Sequence, residues 1–224
     1  MNTANQDSVL HQYMRAILRI NETTNLTRIS SVEDAQVLHI EDSLVGLPEL
    51  EEAPDGLYGD LGSGGGFPGV PLALYSGRQT VLIDSVKKKM RLVSGVLNDL
   101  GLDSQISTYD GRIEELADER PGSFAVLTAR ALSRLVSLLE LASPLLVKGG
   151  RLICYKADIS QEEIEEAEVI ASLVGMKMIS QRETLLSDGE TKRTILVYEK
   201  ACNPRIKLPR RIGLAQKNPL RPRS

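Results

Sequence analysis

Residues 60–69 of this chain read Asp-Leu-Gly-Ser-Gly-Gly-Gly-Phe-Pro-Gly, and this glycine-rich run decides the fold. An apolar segment, residues 57–61, leads into the run, and a helical pattern over residues 69–76 follows it. Glycines at a strand-to-helix turn allow the backbone to bend sharply and allow a ligand to come close to the main chain. The run therefore predicts a ligand-binding loop at the carboxyl end of a strand.

Short apolar segments alternate with helical segments on both sides of this loop. The predicted strands are residues 57–61, 80–84, 104–109, 124–128, 150–156, 177–182 and 193–199. The predicted helices between them are residues 69–76, 86–100, 112–118, 133–147 and 160–174. Because such alternation is typical of a parallel sheet covered on both faces, we expect a Rossmann-like α/β fold with seven strands, most of them parallel.

The last two predicted strands have no helix between them. They are separated by Ser187-Asp188-Gly189-Glu190, a turn sequence, and should form an antiparallel hairpin. A mostly parallel sheet that ends in a hairpin is typical of class I methyltransferases rather than of plain dinucleotide-binding domains. We therefore divide the chain into an N-terminal helical extension (residues 1–50), a cofactor-binding domain (51–200) and a basic tail (201–224).

The charge of the chain is unevenly distributed. The formal net charge is −3, yet residues 203–224 hold seven basic residues and no acidic one, which leaves −10 on the rest. A basic tail on an acidic body suggests a polyanionic partner such as nucleic acid, although a solvated, disordered end explains the composition equally well.

Composition excludes several classes of protein. No apolar run is long enough to span a membrane, and the first residues lack the pattern of a secretory signal, so we expect a cytoplasmic protein. The two cysteines and two histidines show no metal-ligand spacing, and we expect no metal site.

The spacing of the glycines separates two kinds of cofactor. Gly64, Gly66 and Gly69 formally fit the dinucleotide fingerprint. Asp60, Gly62, Gly64 and Gly66 fit the methyltransferase pattern, an acid followed by glycine at every second position. We favour the second interpretation and S-adenosylmethionine as the cofactor, with Asp60 engaging its ammonium group directly or through water.

Three further strand ends complete the expected pocket. Asp84 lies about 20 residues after the glycine loop, where a carboxylate can accept both ribose hydroxyl protons, although it could instead begin the next helix. Residues 110–114 follow the third strand, where methyltransferases of this class hold adenine. Arg130 follows the fourth strand and could bind a carboxylate or phosphate, or form a surface ion pair.

These residues occur in an order that resembles the bacterial glucose-inhibited division protein B family, the guanine-N7 methyltransferases of small-subunit (16S) ribosomal RNA. The resemblance extends from about Asn25 to Leu220. It is carried by Asn25-Leu-Thr27, His39-Ile-Glu-Asp42-Ser43-Leu44, residues 60–71, Leu82-Ile-Asp-Ser-Val-Lys-Lys88, Arg130-Ala131, Tyr155-Lys156, Leu208-Pro-Arg-Arg-Ile-Gly213 and Lys217-Asn-Pro-Leu220.

The resemblance implies a set of functional residues. Cofactor contacts are implied at Gly62, Phe67, Ile113, Glu114 and Arg130. A structural or RNA-facing role is implied for Asn25, His39 and Asp42, so that Arg130, Asn25 and His39 are candidates for positioning the substrate. RNA contacts are expected at Lys156 and in the tail, at Arg205, Lys207, Arg210, Arg211 and Lys217.

The implied chemistry fits the sequence. Guanine N7 has a lone pair and no proton, so attack on a sulfonium methyl group needs no general base, and proximity and orientation can supply most of the rate. The chain has neither the Asn/Asp-Pro-Pro-aromatic motif of exocyclic-amine methylation nor a Pro-Cys after the fourth strand, and Cys154 is better interpreted as a core residue. For His39 we favour a structural role over that of a base.

Other functions remain open at this point. The chain could methylate a small molecule or a protein, could be a non-catalytic RNA-binding module, or could be a dehydrogenase. The basic tail argues against methylation of a small molecule or protein. The intact glycine run argues against a non-catalytic RNA-binding module. We expect ribosomal RNA, naked or as ribonucleoprotein, as the partner, no membrane contact and a monomeric enzyme.

Overall fold

The computed structural model of the chain describes residues 3–24, 26–27 and 29–221. Its strands are β1 (Tyr58–Leu61), β2 (Thr80–Ile83), β3 (Ile106–Tyr109), β4 (Phe124–Arg130), β5 (Leu146–Lys156), β6 (Met176–Leu185) and β7 (Lys192–Lys200). Its helices are α1 (Thr3–Thr24), α2 (Val32–Ala35), a π-helical segment (Gln36–Glu41), α3 (Asp42–Leu44), α4 (Leu47–Glu51), α5 (Gly69–Ser76), α6 (Lys87–Asp99), α7 (Ile113–Glu119), α8 (Leu135–Ala142), α9 (Gln161–Leu173) and α10 (Leu214–Lys217).

The strands form one seven-stranded sheet in the order β3-β2-β1-β4-β5-β7-β6. Only β7 runs antiparallel to its neighbours, β5 and β6, so the predicted fold class and the terminal hairpin are confirmed. The register aligns Leu61 at the end of β1 with Ile83 and Ala129 on the flanking strands. The loops after β1, β2 and β4 therefore leave the sheet side by side at its carboxyl edge.

Both faces of the sheet are buried, as the alternation along β7 shows. Leu196 and Tyr198 belong to the core under α7, α8 and α9, whereas Ile195 and Val197 belong to the core on the opposite face, next to α4 and α5. Because successive side chains on a strand point to opposite faces, a strand that is apolar throughout requires helices on both sides.

The N-terminal helices are part of this layered core. Tyr13 and Ile17 of α1 are fully buried in one apolar cluster with Val70 of α5 and Met90 of α6. The extension predicted for residues 1–50 thus shares its core with the helices that follow the glycine loop.

One predicted helix was too long. Residues 133–147 were expected to be helical, but α8 ends at Ala142 and β5 begins at Leu146. Pro144 explains the early end, because a proline has no N–H to donate to the carbonyl four residues earlier and so cannot continue the helix.

The C-terminal segment is ordered as far as it is described. Residues 204–220, which we call the strap, run back over the face that carries α8 and α9, and Ile206, Leu208 and Leu220 pack against its core. A disordered end is therefore the wrong explanation for residues 201–221. In the described part of the chain, no helix is both long and apolar enough to cross a membrane.

Candidate active site

The glycine loop bends across the end of β2. The backbone N–H groups of Gly62 and Ser63 both donate to the carbonyl of Ile83, at 2.8 and 3.1 Å. Gly62, Gly64 and Gly66 have φ values of +71°, +55° and +88°, which favour glycine strongly. The alternate spacing that distinguished the methyltransferase pattern is thus the spacing of the left-handed residues in the loop.

Asp60 lies at the end of β1, directly before the glycine loop. Its side chain is fully buried on the α5 side of the sheet. Its Oδ1 accepts from the Thr128 hydroxyl at 2.7 Å, and its Oδ2 accepts from the N–H of Gly69 at 3.0 Å. Asp60 therefore fixes the start of α5, which follows the glycine loop.

Burial raises the pKa of Asp60 from 3.8 to about 7, although the bonds from Thr128 and Gly69 and the charge of Arg130 oppose the rise. The folded protein therefore binds a proton at Asp60 more readily than the unfolded chain does. The stability that this proton contributes is full below about pH 4 and is lost as the pH rises through about 7.

We expect Asp60→Asn to remove this pH dependence. Relative to the wild type, the free energy of unfolding of the variant should rise between pH 4 and pH 8 by up to about 4 kcal/mol, because the amide has no charge to bury. Urea unfolding of both proteins at several pH values measures the difference. Parallel profiles would contradict the buried placement of the carboxylate.

Asp84 ties the loop after β2 to the glycine loop. Its Oδ2 accepts from the N–H of Gly64 at 3.0 Å, and its Oδ1 accepts from the N–H of Val86 at 2.8 Å. Each carboxylate oxygen keeps a second lone pair for another donor. The residue lines a pocket together with Gly62, Ile83, Ser85, Gly111, Arg112, Ile113, Glu114, Leu132, Leu141 and Gln216.

Of the expected cofactor contacts, Gly62, Asp84, Ile113 and Glu114 thus line one pocket. The carboxylate of Glu114 is already engaged there, since its Oε1 accepts from the N–H of Gly213 in the strap at 2.7 Å. The remaining expected contacts do not line this pocket: Gly64, Gly66 and Phe67 lie in the glycine loop, Asp60 lies in β1, and Arg130 ends β4.

His39 lies in the π-helical segment and stacks on Phe67 of the glycine loop. The ring centroids are 4.3 Å apart and the planes are nearly parallel. Its Nε2 lies 3.0 Å from the Thr27 hydroxyl, and its Nδ1 has no hydrogen-bond partner among the described residues. Burial and the nearby charge of Arg130 lower the pKa of His39 to about 4, so the ring is neutral at neutral pH. The stacking supports the structural role that we favoured.

Asp42 joins the N-terminal helices to two strands. This carboxylate is 1 % exposed and accepts from Arg130 of β4 at 2.7 Å and from Arg193 of β7 at 2.7 and 3.1 Å. Arg130 also donates to the carbonyl of Leu38 at 3.1 Å. Two cations and one buried anion therefore stand at the carboxyl edge, between the π-helical segment and the sheet. Asn25, the other positioning candidate, lies outside the described residues.

Two residues expected to bind RNA are occupied inside the protein. The Nζ of Lys156 lies 2.8 Å from a carboxylate oxygen of Glu163, and Arg210 forms two bonds of 2.6 Å with the buried Glu140. Both charges are therefore paired within the protein. The other tail residues, Arg205, Lys207, Arg211 and Lys217, are exposed, and none of them makes an ion pair with another described residue.

Cys154 lies in the core, where burial raises the pKa of its thiol to about 12, as its interpretation as a core residue requires. Within residues 3–24, 26–27 and 29–221, no three His, Cys, Asp or Glu side chains form a group that could hold a metal ion.

Sequence reasoning missed several residues of the site. Tyr13 donates from its hydroxyl to the carbonyl of Gly65 at 2.9 Å and so fastens α1 to the glycine loop. Arg193 pairs with Asp42, which is 151 positions away in the sequence, and a contact between such distant residues cannot be predicted from local spacing. Leu132 and Gln216 reach the pocket from the loop after β4 and from the strap.

Comparison with known proteins is consistent with this geometry. The GidB family model, described as rRNA small subunit methyltransferase G, matches residues 6–188. The chain is 32% identical to ribosomal RNA small subunit methyltransferase G of Alkaliphilus metalliredigens and 33% identical to that of Streptococcus gordonii. These alignments cover 97% of this chain in both cases and 92% and 93% of the two relatives.

Solved structures of lower identity share the fold. A geranyl diphosphate methyltransferase in complex with GPP and sinefungin matches with a TM-score of 0.57 at 12% identity, over 71% of this chain and 78% of that one. TrmN from Thermus thermophilus matches with a TM-score of 0.54 at 19% identity, over 70% of this chain and 48% of that one. The sheet order, the glycine loop and the full-length relatives lead to one conclusion. The chain belongs to the family of ribosomal RNA small subunit methyltransferase G and is an S-adenosylmethionine-dependent methyltransferase.

Proposed function

We propose that this enzyme transfers a methyl group from S-adenosylmethionine to N7 of a guanine in 16S ribosomal RNA. The observation that carries the proposal is the pocket between the glycine loop and Asp84, in a chain that aligns over nearly its full length with methyltransferases of the small subunit. The proposal includes action as a monomer and in the cytoplasm, where a ribosomal RNA substrate would be met.

The pocket is a cavity of about 50 Å³, so the cofactor would extend beyond it, and the groups that line it suit the chemistry of an adenosine. Asp84 presents a carboxylate with unused lone pairs, which suits the two hydroxyl groups of a ribose. Ile113, Leu132 and Leu141 supply apolar walls for a flat base. At Gly64, an added Cβ would meet nothing closer than the Gly62 carbonyl at 4.0 Å, so the absence of a side chain leaves open space beside the loop.

The side chains of the site act by holding and orienting rather than by proton transfer. The bound cofactor supplies an electrophilic methyl group, and guanine N7 supplies its own lone pair. His39 has a lowered pKa and is shielded by Phe67, so it is suited to fix the loop and not to remove a proton. Positioning of this kind contributes up to roughly 7–11 kcal/mol in favourable cases.

The methylated guanine carries a positive charge, which an unpaired arginine close to N7 would destabilise. Asp42 pairs with both Arg130 and Arg193 at the carboxyl edge, so its carboxylate offsets part of their positive charge. This part of the site therefore repels the positively charged base less strongly than two unpaired arginines would. Affinity for the phosphate backbone is then assigned to exposed cations of the strap.

Methyl transfer to RNA tests the proposal directly. Purified enzyme would be incubated with methyl-tritiated cofactor and either naked 16S RNA or small ribosomal subunits. Label should enter RNA, and borohydride reduction followed by aniline should cleave the product at one guanine. Label in protein, or at a position that resists this cleavage, would contradict the proposal.

We expect Arg211→Gln combined with Lys217→Gln to weaken RNA binding and to reduce its salt dependence. For each phosphate that the variant no longer neutralises, the slope of log affinity against log salt should fall by about 0.7–0.9. The matched control is Lys148→Gln with Lys177→Gln, which removes two exposed charges at the opposite edge of the sheet. Equal slopes for the two double variants would rule out the strap as an RNA-binding surface. Deleting the whole tail is a poorer test, because the strap also contacts the pocket.

A further inference from the structure

The strap is anchored to the domain before it reaches the pocket. The N–H of Arg205 donates to the carbonyl of Leu173 at the end of α9, at 2.8 Å. Farther along, the guanidinium of Arg210 pairs with both carboxylate oxygens of Glu140 and donates to the carbonyl of Asn218 at 3.0 Å. The strap is therefore fixed at its start, at its centre and near its end.

Glu140 shows that the strap belongs to the folded domain. This glutamate is 2 % exposed on α8, a helix whose other residues are apolar except for Ser137. A buried carboxylate needs a partner, and Arg210 is that partner. The fold of the domain is accordingly built to hold the strap in place.

Two further hydrogen bonds fix the strap at the pocket. The N–H of Gly213 donates to Glu114 on one wall, and the Ser137 hydroxyl donates to the carbonyl of Ala215 at 2.7 Å. Ala215 is 1 % exposed, so the short helix α10 is held closely against the domain. The next residue, Gln216, lines the same pocket as Gly62 and Asp84.

We infer that the strap is a wall of the cofactor pocket and that Gln216 binds the adenosine half of S-adenosylmethionine. The inference rests on the proposed use of this pocket. At this pocket Glu114 is occupied by the strap, and Ile113, Leu132 and Leu141 are apolar. Besides Asp84, the polar side chains that also line it are those of Ser85, Arg112 and Gln216. The amide of Gln216 makes no hydrogen bond within the described residues. It offers one donor and one acceptor, the pair that matches the donor and acceptor on the edge of adenine.

Calorimetric binding of S-adenosylhomocysteine, which has no methyl group to transfer, tests the contact. Gln216→Ala should lower its affinity at least about fivefold, the effect of losing the pair of hydrogen bonds that the amide makes. The matched control is Gln161→Ala, an exposed glutamine on α9 away from the pocket, and it should bind as the wild type does. Both variants should unfold at the wild-type temperature.

The purine-riboside analogue of S-adenosylhomocysteine, which carries hydrogen in place of the adenine amino group, separates a direct contact from a general effect on the fold. The wild type and Gln161→Ala should prefer the adenosine compound, and Gln216→Ala should lose that preference. Hydrogen exchange of residues 213–218 should slow when S-adenosylhomocysteine binds the wild type.

The outcomes distinguish the inference from the proposed function. If the wild type does not bind S-adenosylhomocysteine, both fail together. If the wild type binds it, and Gln216→Ala retains affinity and preference, the contact at Gln216 is wrong. If exchange in the strap is unchanged by binding, the strap is not a wall of the pocket, whereas the proposed reaction stands.

Discussion

Gly62→Asp should lose affinity for S-adenosylhomocysteine by more than about 100-fold, equivalent to roughly 2.7 kcal/mol. Gly62 has a φ of +71°, and an added Cβ would lie 2.6 Å from Cδ1 of Leu132 at the pocket. The new carboxylate would also stand near Asp84, which shares the pocket. The substitution therefore introduces both steric overlap and electrostatic repulsion at the pocket.

Gly77→Asp is the matched control for this variant. Gly77 ends α5 with a φ of +70°, and an added Cβ there would have no neighbour within 4 Å. Both variants incur the same backbone strain, but only the first introduces a side chain at the pocket. Calorimetry should therefore find near wild-type affinity for Gly77→Asp. Equal losses in the two proteins would show that strain, and not obstruction of the pocket, explains the effect.

Asp42→Ala should reduce the free energy of unfolding by about 3–5 kcal/mol and should abolish methyl transfer. The substitution leaves Arg130 and Arg193 without their shared anion in a site where each side chain is less than one fifth exposed. Two such unpaired cations repel each other and are poorly solvated. Urea unfolding and transfer of labelled methyl groups measure the two effects.

Glu52→Ala provides the comparison for Asp42→Ala. Glu52 is largely exposed and lies 3.8 Å from Arg151, so its removal should cost less than about 1 kcal/mol. A similarly small change for Asp42→Ala would mean that Arg130 and Arg193 find other partners. In that event, the ion cluster would not determine the geometry of the carboxyl edge.

Local patterns predicted most of the sheet. Strand and helix alternation indicated the layers, the turn at residues 187–190 indicated the hairpin, and the distance from the glycine run to Asp84 placed that carboxylate at the pocket. These features depend on periodicity and on short spacings, which a single sequence contains.

The contacts of Asp60 were not evident from the sequence, because motif spacing does not report on which face of a strand a side chain lies. Tyr58 and Asp60 alternate with Gly59 and Leu61, and the apolar contacts of Tyr58 lie on the α5 side. Because residues two apart on a strand share a face, the position of Tyr58 indicates that Asp60 also points toward α5. The wider lesson is that a residue in a binding motif can act on the loop and not only on the ligand.

Contacts between distant segments could not be predicted from the sequence. The pairing of Asp42 with Arg193 and of Glu140 with Arg210 depends on how whole elements pack. A weak signal existed for the second pair, since one glutamate in the apolar helix α8 required a partner from elsewhere. Apolar residues within the basic tail, Ile206, Leu208 and Leu220, also indicated that this segment packs against the domain.

The ion cluster at Asp42 has a consequence for engineering. A chimaera that exchanges the first 50 residues between relatives would divide this ion cluster, because Asp42 is on one side of the junction and Arg130 and Arg193 are on the other. The bond from Tyr13 to Gly65 crosses the same junction. A chimaera designed to change the substrate must therefore exchange these interacting residues together. Boundaries chosen by position in the chain alone would separate them.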